Sequence, residues 1–94
     1  MLRDLGDLVG ARIQFERALQ ISEAALGPDQ PTIGTLRNNL GLVLQALGDL
    51  DGARTQLERA LQISEATLGP DHPQTNAARS ALRQLPPGSA EPSA

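Results

Sequence analysis

Apolar and polar positions in this chain recur at helical period, and the same stripe is written twice. Leu50, Ala53, Leu57, Ala60, Leu61, Ser64 and Leu68 share one side of a helix, as do Leu8, Ala11, Phe15, Ala18, Leu19, Ser22 and Leu26 before them. Each stripe runs into Leu-Gly-Pro-Asp, where Gly27 and Gly69 suit a left-handed residue closing a helix and the next proline cannot continue it. A further stripe, Ile33, Leu36, Leu40, Val43, Leu44 and Leu47, lies between them. Pro31 and Pro73 suit a first helical turn, and Asp29 and Asp71 stand where a carboxylate favours a helix N-terminus and caps free N–H groups. The spacing predicts helices over 8–26, 32–47, 50–68 and 74–85, an all-α chain, with 86–94 a flexible tail that has nothing to pack.

The duplication extends beyond the stripes. Residues 5–40 recur as 47–82, an offset of 42, with 24 of 36 positions identical, so one supersecondary unit is used repeatedly. Its pattern, Leu40-Gly41-x-x-Leu44 followed by Gly48-Asp49-x-x-x-Ala53-x-x-x-Leu57-x-x-Ala60, resembles the tetratricopeptide repeat. The first copy carries Ala11-x-x-x-Phe15-x-x-Ala18, with phenylalanine where that family favours it. The long unit and the Leu-Gly-Pro-Asp-His-Pro connector look like the 42-residue variant of kinesin light chains. HEAT and armadillo units overlap in length, and the Leu-Gly and Ala-x-x-x-Phe/Leu-x-x-Ala spacings favour tetratricopeptide. The resemblance covers residues 5–85 and implies antiparallel helix-turn-helix repeats in a right-handed α-solenoid, with 1–85 as the repeat domain.

The small residues have a physical use in such a fold. Ala53 and Ala60, like Ala11 and Ala18, let two helix axes approach closely, and Gly41 does the same from the facing helix. The short Gly48-Asp49 connector makes its two helices antiparallel.

The chain is not a whole number of units. Residues 1–7 correspond to the end of a first-type helix, which leaves 8–26 as a second-type helix without its partner. Residues 32–68 form a complete repeat, and 74–85 align with its first helix. There Arg83 replaces Gly41, Ser80 and Ala81 replace Asn38 and Asn39, and Pro86 replaces Leu44, so 74–85 reads as a capping helix. The C-terminal side is expected to be an array end and the N-terminal side a cut through a longer array. The unpartnered helix is expected to expose Phe15, Leu19, Ile21 and Leu26, which predicts a homo-oligomer or packing against upstream repeats.

Composition removes other classes. The 94 residues contain no cysteine, tryptophan or tyrosine, which excludes disulfides, thiolate metal sites and an aromatic stacking platform. Eight arginines against eleven acidic residues give a net charge of −3, with no footprint for nucleic acid or an anionic membrane. The stretch around Leu40–Leu47 is too short to span a bilayer, and residues 1–7 lack the apolar region of a secretory leader, so a cytoplasmic protein is expected. His72 is the only histidine and reads as a connector residue, so neither a metal site nor a nucleophile–base pair is expected, nor any cofactor. Arg12–Glu16 and Arg54–Glu58 have the spacing of solvated i,i+4 pairs.

What remains is a surface. Thr35, Asn38, Leu42 and Gln45 lie nearly opposite the apolar stripe of their helix. The tetratricopeptide resemblance implies that this face lines a concave groove for extended peptides. Asn38 can both donate to and accept from a peptide backbone, and Asn39 at the edge of the face is the alternate. The competing account has one asparagine tying the helix to its neighbour, the other solvated, and Leu42 packed on an adjacent helix. Two functions follow: a non-enzymatic interaction module for a protein or peptide partner, or a structural segment that completes its missing helix by self-association.

Overall fold

Glycine and proline divide the chain into helices. In the computed structural model, which describes residues 5–86, four helices follow one another: α1 (Leu5–Leu26), α2 (Pro31–Leu47), α3 (Leu50–Thr67) and α4 (Pro73–Gln84). No strand occurs among the described residues. Gly27, Gly48 and Gly69 hold φ of 88°, 89° and 97°, the left-handed region where a side chain would be strained. After α2 the Gly48 N–H donates to Gln45 O and the Asp49 N–H to Leu44 O, the paired bonds of a Schellman ending. Of the tail at 86–94 only Pro86 lies among the described residues, and residues 1–4 also lie outside them.

The caps differ from expectation. Proline takes the first helical position of α2 and α4, so the cap falls to Gln30 and His72, and Asp29 and Asp71 stand one residue too early. The His72 Nδ1 accepts from the Gln74 N–H at 3.0 Å, whereas Gln30 makes no side-chain cap. Asp49 caps α3, its Oδ1 accepting from the Gly52 N–H at 3.0 Å.

A second correction concerns the start of α1. The expected boundary was residue 8, yet the helix begins at Leu5 and runs through Gly6 and Asp7. The same residues in the second copy, Gly48 and Asp49, form a turn, because α2 precedes them and folds back on α3.

Packing places α2 between its neighbours. It lies against α1 on one side and α3 on the other, and α4 packs on α3 while touching α2. The core is built from Leu19, Ile33, Leu40, Leu44, Ala53, Leu57, Ile63, Ala81 and Leu85, with Phe15, Leu36, Leu50 and Leu82 half-buried against it. A Cβ added at Gly41 would sit 2.7 Å from the Leu57 Cγ, so glycine there sets how closely α2 meets α3. Leu85 is extended before Pro86, as a residue preceding proline prefers, and this ends α4.

Candidate interaction site

The site begins with α2, whose exposed side carries the residues singled out in the sequence. The fold divides them. Thr35 is exposed and bonded toward α4, its Oγ1 donating to the Gln74 Oε1 at 2.9 Å. Asn38 is half-buried, and its Oδ1 is buried without a hydrogen-bond donor. Gln45, seven residues on, is also half-buried. Asn39 and Leu42 turn to the other side. With Val43, Ala46, Leu8 and Phe15 they line a groove of about 430 Å³ between α1 and α2. Leu42 is 44% exposed, so it is not covered by an adjacent helix.

The α1 residues expected at the surface also separate. Leu19 belongs to the core, only 8% exposed, because α2 covers that side of α1; its expected exposure is corrected. Phe15 is half-buried in the groove wall. Ile21 and Leu26 are exposed, with Leu5 and Ile13 on the same helix.

Two joints escaped the sequence reading. Arg37 donates to the Glu23 Oε2 of α1 and to the Gln56 Oε1 of α3, both at 2.7 Å, so one guanidinium holds three helices. Arg79 and Glu65 repeat the arrangement between α4 and α3 at 3.3 Å. The signal was present: Glu23 and Arg37 recur as Glu65 and Arg79 at the 42-residue offset. Neither Arg12–Glu16 nor Arg54–Glu58 forms an ion pair; Arg54 donates to the Pro86 carbonyl instead. Gln74 is the other joint. Its Nε2 donates to the Pro31 carbonyl at 3.2 Å and to the Ser64 hydroxyl at 3.3 Å, tying α4 to α2 and α3. The first copy has Thr32 at that place, so the duplication gave no cue.

Chemically, the surface offers shape, apolar side chains and amide groups. No three His, Asp or Glu side chains gather among the described residues, and no helix there is long and apolar enough to cross a membrane. The architecture is that of antiparallel helical repeats. The chain belongs to the tetratricopeptide repeat family: one family profile of that description matches residues 1–50 and a second matches 34–74. The 42-residue unit is consistent with the kinesin-light-chain-like form of the repeat. No curated protein matches the chain. Tetratricopeptide repeats are protein–protein interaction modules, a non-catalytic fold.

Proposed function

We propose that this chain is a non-enzymatic interaction module that holds a peptide or partner helix against the exposed side of α2, through Thr35, Asn38, Asn39, Leu42 and Gln45. The observation that carries the reading is the buried, unpartnered Oδ1 of Asn38 on the same helix as Leu42, α2's one exposed large apolar residue. A buried acceptor without a donor costs about 1–3 kcal/mol, which favours turning the half-buried Asn38 side chain outward to meet a ligand N–H. Peptides selected on the chain from a random library should bind Asn38→Ala about tenfold more weakly, a step of ~1.4 kcal/mol. Equal binding to both proteins removes Asn38 from the site.

A second reading, self-association, is supported by Leu5, Ile13, Ile21 and Leu26, which are all on α1 and all exposed. Light scattering over a concentration series, with Ile21→Glu as control, tests it. A monomer throughout the micromolar range excludes it.

A further inference from the structure

The exposed side of α2 carries hydroxyl and amide groups beside Leu42, and no ion. None of the eleven acidic residues of the chain falls on α2 or α4. Three arginines do, and each is engaged. Arg37 donates to Glu23 and Gln56, Arg79 to Glu65, and Arg83 to the Ser80 Oγ at 3.3 Å. Arg83 aligns with Gly41, where a Cβ would run into Leu57 of α3 rather than toward the exposed side. At the positions of Thr35, Asn38 and Leu42, α4 has Ala77, Ser80 and Gln84. The uncharged strip therefore continues onto the helix that touches α2.

Two acceptors stand on this strip within one turn of each other. The Thr35 hydroxyl has a single hydrogen, placed between the Gln74 Oε1 at 2.9 Å and the Pro31 carbonyl at 3.3 Å, so only its lone pairs are left for a ligand. Gln74 is held in turn, its Nε2 donating to the Pro31 carbonyl and the Ser64 hydroxyl. The Asn38 Oδ1 has no donor and gains one when the side chain turns outward. A ligand that satisfies both acceptors brings two donors with the spacing of side chains three apart on a helix, about 5–6 Å between Cβ atoms. A helix has spent its backbone N–H groups beyond the first turn. An extended segment points every second N–H to one side, at intervals of about 6.5 Å. A charged group brought onto the strip would lose its water and meet no counter-ion.

We infer that the partner is an uncharged, extended segment of another polypeptide, held by two alternate backbone N–H groups on Thr35 and Asn38 and by an apolar side chain on Leu42. The inference rests on the proposed α2 face and narrows its two ligands, peptide or helix, to one.

The test starts from random short peptides selected on the full chain, the tightest being resynthesised with single N-methyl groups along the backbone. Two N-methylations, two residues apart, should each weaken binding about tenfold, the worth of one hydrogen bond. One of these effects should vanish in Asn38→Ala and the other in Thr35→Val. Gln74→Leu breaks the same α2–α4 joint as Thr35→Val but leaves the Thr35 lone pairs, so it should bind as wild type does; a loss equal to that of Thr35→Val overturns the Thr35 contact. Raising salt from about 50 to about 500 mM should change Kd less than about twofold, since there is no ion pair to screen. A Kd that rises at least about fivefold with salt, and is weakened by Arg83→Gln, makes the ligand acidic and overturns the inference. Insensitivity to every N-methyl group while Asn38→Ala still weakens binding makes the ligand a helix, which overturns the inference and leaves the proposed face standing. Peptides that bind Asn38→Ala and Thr35→Val as they bind wild type, or a library that yields none, remove the face and the inference together. A dimer of the chain that a selected peptide dissociates makes the occupant a second copy and overturns the stated source.

Discussion

Gly10 and Gly52 hold the same place in the two copies, yet a methyl group would meet different surroundings at each. Nothing lies within 4 Å of a Cβ added at Gly10, while one at Gly52 would come within 2.5 Å of the Asp49 Oδ2. Both sit inside helices, where alanine is favoured over glycine by about 0.5–1 kcal/mol. Gly10→Ala should therefore stabilise the fold by that amount. In Gly52→Ala the same gain is offset by disturbing the Asp49 cap, itself worth about 1 kcal/mol, and the net effect should be near zero. Urea unfolding of both variants decides it, and a destabilised Gly10→Ala would show that the α1 surface is not open there. The caps also mark how far single residues were legible. That proline would open α2 and α4 could be read directly, but which neighbour became the cap depended on one residue of register, and His72 rather than Asp71 took it. The partners of Arg37 were hidden for another reason: they lie on two other helices, and only the offset between copies pointed to one of them.

One tetrapeptide takes two conformations. Leu-Gly-Asp-Leu is the first turn of α1 at 5–8, and at 47–50 it is the bend between α2 and α3. Local propensity is identical, so tertiary packing makes the choice. The helical stripes were legible because they repeat at the period of the helix. The start of α1 was not, because the same tetrapeptide is helical in one copy and a bend in the other. Alanine substitution should separate the two states. Gly48→Ala forces a side chain into the left-handed region and should cost about 1–2 kcal/mol. Gly6→Ala, in the helical copy, should gain about 0.5–1 kcal/mol. Thermal unfolding followed by circular dichroism reads both, and a loss in Gly6→Ala would place the turn at the first copy too.

At the scale of the molecule, cover is uneven from one end to the other. Leu19 is the only buried residue of α1, whereas α3 buries Ala53, Leu57, Ala60, Ile63 and Ser64. Local opening follows buried contact, so the four helices should not exchange their amide hydrogens at one rate. α1 is linked to the rest by Leu19 in the core, Phe15 half-buried against it, and the Arg37–Glu23 pair, whose side chains are 12% and 31% exposed. A part-exposed pair of this kind adds on the order of 1 kcal/mol, less than the burial of the α3 stripe supplies. The α1 amides should therefore exchange well before those of α3, through an opening that leaves α2, α3 and α4 folded. Hydrogen-exchange mass spectrometry at low micromolar concentration measures this directly. Equal protection of α1 and α3 would mean that the α1 stripe is covered in solution, and loss of that protection on dilution would identify the cover as a second copy of the chain.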